Sequence, residues 1–360
     1  MEQLTISVDV MGGDYAPSKM IAGLHLARKV HPDVHFLLYG NEEICAPYIG
    51  DLDSNMTFIH ASETISSDAK PSFAIRNSKN SSMRLAIEAV KTGHAQGVVS
   101  AGNTGAYMAL AKLILKTIDG IDRPAITGIV PSLKKDVVML DLGANVECSA
   151  ENLVQFAMMG DAFARAFLGC ENPSVGLLNI GSEDIKGNAI VKEASRIITS
   201  SETLTNFQGF VEGDDICAGT TDVVVTDGFT GNITLKTIEG TAIMICKMLK
   251  KNLMAGWLSK MGLLFAHKGL QKFQHSLDPR HYNGAIFLGL NGIAVKSHGG
   301  TDEVGFSYAV GTAIDLVNNH VNQNISEAIS KMYERQESAM PSSIHATAEP
   351  TPRITVKLGV

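Results

Sequence analysis

Short, almost continuously apolar runs, each ended by a polar turn, recur along this chain and constrain its fold more than any other feature. Val175–Ile180 (VGLLNI), Asp222–Asp227 (DVVVTD) and Asp136–Asp141 (DVVMLD) are the clearest. They are too short for helices and lack strict apolar–polar alternation, so they read as strands covered on both faces. Strands are predicted at Leu4–Val10, Val34–Tyr39, Met56–His60, Gly97–Ser100, Val137–Asp141, Ser174–Ile180, Val223–Thr226 and Ile293–Lys296. Helical patterns lie between them, for example Asn103–Thr117 and Asn152–Leu168. Strand–helix alternation of this kind predicts a doubly wound α/β fold: a mostly parallel sheet in a three-layer αβα arrangement. With 360 residues and no repeat of fixed period, the expected division is one α/β catalytic domain over 1–335. Residues 336–360 open with QESAMPSSIHATAEPTPR, rich in Ser, Ala, Pro and Thr, and are expected to form a flexible tail.

Six polar, glycine-bearing segments come directly after predicted strands: Asp9–Asp14, Ser100–Ala106, Asp141–Asn145, Asn179–Asn188, Thr226–Asn232 and Lys296–Asp302. In open α/β sheets ligands bind beyond the carboxyl ends of strands, so the expectation is six loops lining one cleft at one edge. Their residue types suit an oxyanion. Glycines such as Gly12, Gly13 and Gly105 admit close approach to backbone N–H groups, and helix N-termini add partial positive charge. Asn103, Thr104, Asn145, Asn188, Asn232, Ser100 and Ser297 offer neutral donors, and Lys186 and Lys296 can offset phosphate charge. Taken singly, each turn also reads as an ordinary helix cap. His298 is either an acid/base or phosphate ligand, or a histidine bonded to a neighbouring loop. Asp9 and Asp141 are expected among the residues of the substrate and phosphate site; with Asp14, Glu183 and Asp227 they also have the chemistry to ligate magnesium, but such acids more often order turns, and no metal is expected.

Several classes are disfavoured. GxGxxG with a following acidic residue, Walker A, HExxH and GxSxG motifs are all missing. A net charge of -7 disfavours a nucleic-acid partner. Five scattered cysteines without CxxC spacing argue against a disulfide framework or zinc site and favour a reducing cytoplasm. The amino-terminal MEQLTISVDVMGGD reads as a strand and turn, not a secretory signal, and no apolar run approaches the ~20 residues of a membrane span.

Together the turns resemble a known family. DVMGGDYAP, KPSFAIR with NSSMRLA, VVSAGNTGA, DLGAN, LLNIGSEDIKGN, DVVVTDGFTGN and YNGAIFLGLNGIAVKSHGGTD, in this order from about Ile6 to Asn319, look like the bacterial phosphate acyltransferases. These are also called acyl-acyl-carrier-protein:phosphate transacylases. The resemblance implies transfer of a long-chain acyl group from acyl carrier protein to inorganic phosphate. The acyl phosphate product would feed a glycerol-3-phosphate acyltransferase in phospholipid synthesis. It further implies a fold like phosphate acetyltransferases and isopropylmalate-type dehydrogenases, a homodimer, and no organic cofactor. On this basis Lys186, Asn188 and Asn232 are expected to stabilise phosphate and the tetrahedral oxyanion. Asn103, Thr104 and Gly105 would form a cradle that Lys296, Ser297 and His298 close. A coenzyme A-dependent phosphate acyltransferase, a decarboxylating dehydrogenase and a non-enzymatic lipid- or carrier-binding scaffold are the alternatives.

One segment stands apart in charge. Residues 240–277 hold six lysines and no acid. From Met254 the apolar positions 254, 257, 258, 261, 264 and 265 have helical spacing, with Trp257 on the stripe. Such a basic amphipathic helix is expected to contact an anionic membrane surface or the acidic carrier protein, through Lys250, Lys251, Met254, Trp257, Leu258, Lys260 and Met261. Packing in the core or a dimer interface is the plainer alternative. The expected location is therefore cytoplasmic, peripheral to the inner face of the cell membrane.

Overall fold

The computed structural model describes residues 3–50, 54–201, 204–254, 256, 266–273 and 278–339. Its strands are β1 (Thr5–Asp9), β2 (His35–Gly40), β3 (Met56–His60), β4 (Gly97–Ser100), β5 (Ala125–Val130), β6 (Val137–Leu140), β7 (Val175–Leu178), β8 (Phe207–Val211), β9 (Val223–Val225), β10 (Ala285–Leu288) and β11 (Ile293–Lys296). The helices are α1 (Ser18–Val30), α2 (Glu42–Ile49), α3 (Pro71–Asn77), α4 (Ser82–Lys91), α5 (Thr104–Leu115), α6 (Ala150–Leu168), α7 (Ala189–Ser201), α8 (Gly213–Ala218), α9 (Gly228–Leu253), α11 (Glu303–Asn318) and α12 (Val321–Ala339). Residues 266–273 form the short helical run α10.

All eleven strands join one sheet in the order β3-β2-β1-β4-β11-β10-β5-β6-β9-β7-β8. It is covered on both faces, as near-continuous apolar strands require. One apolar cluster packs α1, α6, α7, α11 and α12 against Ile6, Val8, Val138, Leu140, Val223 and Val225. A second packs α4, α5 and α8 against Val98, Val137, Met139, Val224 and Ala294 on the opposite face. Adjacent residues of β6 thus serve opposite cores, the period-two geometry of a strand. Burying each large aliphatic chain stabilises the fold by roughly 1.5–3 kcal/mol, so the layers themselves hold the sheet edges in register.

Pairing is parallel except at β10–β11, β5–β10 and β5–β6, which are antiparallel. Those three reversals overturn one expectation. Strands β1, β4 and β11 run one way, while β6, β9 and β7 run the other. The six turns therefore do not share one sheet edge. They form two groups of three, at opposite strand ends. The last described helix, α12, runs through Ala339. Of the lysine-rich segment, Met254 is described and exposed; Trp257, Leu258, Lys260 and Met261 lie outside the described residues.

Candidate functional site

The first group gathers the turns after β1, β4 and β11. The Ser297 N–H donates to the Ser100 carbonyl (3.0 Å) and the Asp14 N–H to the Gly299 carbonyl (2.8 Å), stitching the three together. Gly12 allows this approach: a Cβ there would fall 2.5 Å from the Gly102 nitrogen. Asp9 lies beneath, 1% exposed, accepting from Ser82 Oγ (2.6 Å), Ser100 Oγ (2.7 Å) and the Met11 N–H (3.2 Å). Burial raises its pKa despite those donors and the nearby Lys296 ammonium. Burial likewise pulls Lys296 from 10.5 down to about 8, against the opposing pull of Asp9 and Asp14. Its ammonium donates to the Ala101 (3.3 Å) and Ser297 carbonyls.

One organiser of this group is absent from the residues expected above. Asn283 accepts from the His298 N–H (2.9 Å) and donates to Ser297 Oγ (2.9 Å), Thr301 Oγ1 (3.3 Å) and the Gly305 carbonyl (2.7 Å). It fixes the whole Lys296–Asp302 turn from outside. Its sequence signals are an Asn-Gly pair ahead of a strand and its place in the YNGAIFLGLNGIAVKSHGGTD motif. His298 itself is exposed, and its Nδ1 accepts from the Gly300 N–H (3.1 Å), while Nε2 has no hydrogen-bonding partner among the described residues. Thr104 and Gly105, also exposed, open α5, whose N-terminus adds partial positive charge. Asn103 is the cap of that helix, accepting from the Ala106 N–H (2.9 Å), and its amide donates to the Ser67 (2.6 Å) and Ala69 (3.2 Å) carbonyls.

The second group gathers the turns after β6, β9 and β7. Asp141 is fully buried and accepts from the N–H groups of Ile126 (2.9 Å), Gly143 (3.1 Å), Ala144 (2.9 Å) and Asn145 (2.7 Å), and from Asn145 Nδ2 (2.9 Å). Burial raises its pKa in opposition to these donors. A carboxylate so surrounded shapes the turn and has no face left for a ligand. Asn145 Nδ2 also donates to the Pro124 carbonyl (2.9 Å), so it too is a builder. The Gly228 N–H reaches the Asn145 carbonyl (2.8 Å) and starts α9 on this turn, with Asp227 as N-cap.

Asn232, one turn into α9, rests its carboxamide over Gly143. Lys186 sits on an exposed loop closed by its own carbonyl accepting from Asn179 Nδ2 (3.2 Å). Among the described residues, neither the Lys186 ammonium nor the Asn232 carboxamide has a hydrogen-bonding partner. Asn188 caps α7 through its Oδ1, accepting from the Val191 N–H (2.9 Å), which leaves its NH2 available. Large apolar side chains stand exposed around the same turns: Val146, Ile180, Ile185, Ile190, Phe229 and Ile233. Exposed apolar chains in such a set mark a binding surface.

The expected site residues therefore divide by what their polar atoms already do. Asp9, Ser100, Asn103, Asp141, Asn145, Lys296 and Ser297 hold the turns in shape. Lys186, Asn188, Asn232, Thr104 and His298 keep atoms open to a ligand.

Comparison with known proteins identifies the family. A family model described as fatty acid synthesis protein matches residues 4–324. The phosphate acyltransferase of Rhodospirillum rubrum is 52% identical over 344 residues, covering 95% of this chain and 97% of that protein. That of Paramagnetospirillum magneticum is 50% identical, covering 95% and 98%. Among solved structures, a phosphotransacetylase from Streptococcus pyogenes superposes with a TM-score of 0.58 at 18% identity, covering 92% of this chain and 95% of its own. At that identity the likeness speaks for the fold alone, and it bears out the expected phosphotransacetylase-like α/β architecture.

Proposed function

The chain belongs to the phosphate acyltransferase family, enzymes that transfer acyl groups to or from phosphate, and from that premise we propose that its donor is a long-chain acyl-acyl carrier protein and its product an acyl phosphate. The observation that carries this reading is the second group of turns, which leaves Lys186 and Asn232 unpartnered and exposes Ile180, Ile185, Ile190, Phe229 and Ile233 along the same stretches of chain. Open cationic and amide donors suit phosphate, and exposed apolar side chains on the same turns suit a fatty chain.

A phosphate oxygen attacks the thioester carbonyl carbon, a C–O bond forms, and collapse of the tetrahedral intermediate breaks the C–S bond and releases the pantetheine thiolate. Phosphate dianion is already a nucleophile, so no covalent serine or cysteine is needed. The site must instead desolvate phosphate, aim it, and offset two negative charges as they approach. Lys186 supplies the charge, and the carboxamides of Asn188 and Asn232 donate to phosphate and oxyanion. Thr104, Gly105 and the His298 turn cradle the anionic end of the donor's prosthetic arm.

This division needs both groups to open on one cleft. Neighbouring strands twist by roughly 20–25°, so the five steps from β4 to β9 turn the sheet by roughly 100–125°. Ends that run oppositely in the topology then point within about 55–80° of one another. They are separated by roughly 24 Å of sheet, a span for an extended arm and not for a single phosphate.

We extend the proposal to location and assembly. Exposed Ile243, Met244, Ile245 and Met248 along α9 offer a face to a second copy, and the end with Lys250, Lys251 and Met254 offers contact to anionic lipid. No helix among the described residues is long and apolar enough to cross a membrane. The downstream consumer is then a glycerol-3-phosphate acyltransferase acting at the same surface.

The test is phosphate-dependent thiol release from palmitoyl-acyl carrier protein, with palmitoyl-coenzyme A as the competing donor. Wild type is expected to prefer the carrier thioester, and Lys186→Ala to lower turnover by two or more orders of magnitude with an unchanged melting temperature. Equal or better turnover with coenzyme A would remove the carrier assignment; near-normal activity of Lys186→Ala would remove the phosphate site.

A further inference from the structure

The chain between Ser66 and Ser82 crosses the first group of turns and is tied to it at both ends. At one end Asn103 Nδ2 donates to the Ser67 and Ala69 carbonyls (2.6 and 3.2 Å); at the other, Ser82 Oγ donates to Asp9 Oδ1 (2.6 Å). Between these ties runs α3, which buries Ala74 and lays Pro71 over Gly105, where an added Cβ would come within 3.1 Å of the proline ring. The strap is therefore the rim of the Thr104–Gly105 opening.

Its outward face has a distinct character. Residues 69–80 (AKPSFAIRNSKN) contain three bases and no acid in a chain whose net charge is -7. Phe73 is 60% exposed, and Lys70, Arg76 and Lys79 are exposed beside it. Among the described residues none of the three cations has an ion-pair partner. The two acids of the preceding stretch are otherwise engaged: Asp68 accepts from Ser66 Oγ, and Glu63 accepts from the Asn80 N–H (3.1 Å).

We infer that this strap is the docking face for an acidic protein that presents the acyl thioester, an inference that rests on the proposed reaction. Lys70 precedes α3, Arg76 lies in its last turn and Lys79 follows it, a row along the strap and not the clustered fork of donors that grips one anion. They match an extended acidic surface, where unpaired rim charges raise the association rate and set orientation. Phe73 supplies the apolar anchor that charge alone does not. A single aromatic on a two-turn helix is too small an apolar area for membrane insertion. A carrier seated here would feed its prosthetic arm past Thr104 and Gly105 into the cleft.

The experiment compares wild type with Arg76→Glu/Lys79→Glu, using palmitoyl-acyl carrier protein and the uncharged donor palmitoyl-pantetheine. The double variant is expected to raise KM for the carrier thioester at least tenfold. Its kcat, its KM for phosphate and its turnover of the pantetheine donor should stay at wild-type values. The steep fall of wild-type kcat/KM with salt should flatten in the variant. An unchanged carrier KM overturns the inference. So does a raised KM for phosphate, which would make the strap part of the anion site, or an equal loss with both donors. Should wild type turn over neither thioester, the proposed reaction fails by itself, and calorimetry with holo-acyl carrier protein then decides docking. Salt-sensitive binding lost in the double variant sustains the surface; no binding by wild type removes it.

Discussion

Gly231→Ala tests the second group of turns most directly. Gly231 is buried in the first turns of α9, immediately before Asn232. A Cβ there would stand 1.9 Å from the main-chain oxygen of Asp141, where real Cβ atoms essentially never come within 3.0 Å. Either α9 or the Asp141 turn must retreat by about 1.1 Å, because a backbone oxygen has no rotamer into which to swing away. Alanine also gains roughly 1 kcal/mol of helix propensity over glycine, whereas overpacking of this kind costs about 1–3 kcal/mol. With a rigid neighbour the upper half of that range applies, so the net effect is destabilising by roughly 1–2 kcal/mol. Calorimetry should show the melting temperature fall by a few degrees. Activity is the more sensitive readout. An ångström of misplacement between Asn232 and the Asp141–Asn145 turn is worth about 10²-fold in rate, so thiol release should drop by that factor. Gly240→Ala, on the same helix with nothing within 4 Å of its Cβ, isolates the propensity effect. It should stabilise by about 0.5–1 kcal/mol and leave turnover unchanged. If Gly231→Ala retains activity within twofold of wild type, the packing of α9 against the Asp141 turn does not set the position of Asn232, and the reasoning fails.

Two further outcomes rest on other features. Burial brings Lys296 from 10.5 to about 8. Between those values the unfolded chain binds more protons at this site than the folded one, so stability gains from it as pH rises through that window. Burial raises the Cys45 and Cys148 thiols to about 11, which acts in the opposite sense over 9 to 11. The Lys296 contribution is therefore read as a difference: wild-type stability minus that of Lys296→Met should climb from about pH 8 to 10.5, and parallel curves would show that Lys296 does not titrate there. For the lysine-rich segment, wild type should float with anionic vesicles, while Met254→Glu combined with Trp257→Glu and Leu258→Glu should stay in the soluble fraction; equal recovery of both proteins rules out membrane contact through these residues.

The layers of this fold were legible from residue pattern because burial on two faces leaves a plain signature. Every predicted strand matches one in the sheet to within two residues at each end, from β1 to β11. The three strands that went unread are β5, β8 and β10. Gly128 interrupts AITGIV, FQGFV carries both Gln208 and Gly209, and AIFL is only four residues long inside a glycine-rich stretch. Two of these three, β5 and β10, make all the antiparallel pairs. Missing them hid the reversal of the sheet. That single gap turned two groups of turns into one supposed edge, since strand direction is set by pairing partners far apart in sequence and leaves no local trace.

The site was legible in kind but not in role, for a related reason. Asn, Asp, Ser and Gly have the same chemistry whether they grip a ligand or the backbone of the next loop. Asn103 and Asn232 are indistinguishable by type, each beside a glycine at the start of a helix. Yet Asn103 turns its amide onto the Ser67 and Ala69 carbonyls, while Asn232 has no partner among the described residues. Asp141 and Lys186 differ in the same way: one is enclosed by five donors, the other stands open. A carboxylate enclosed by amides is what makes a cleft rigid, because it replaces hydration with fixed partners and leaves the turn one conformation. On the proposed reading, an unpartnered lysine and amide held by such turns give up water but no protein partner to bind phosphate. On that reading the builders belong to the reaction as much as the donors do. Their substitution should disturb kcat through lost positioning, whereas loss of Lys186 should remove the charge that phosphate meets.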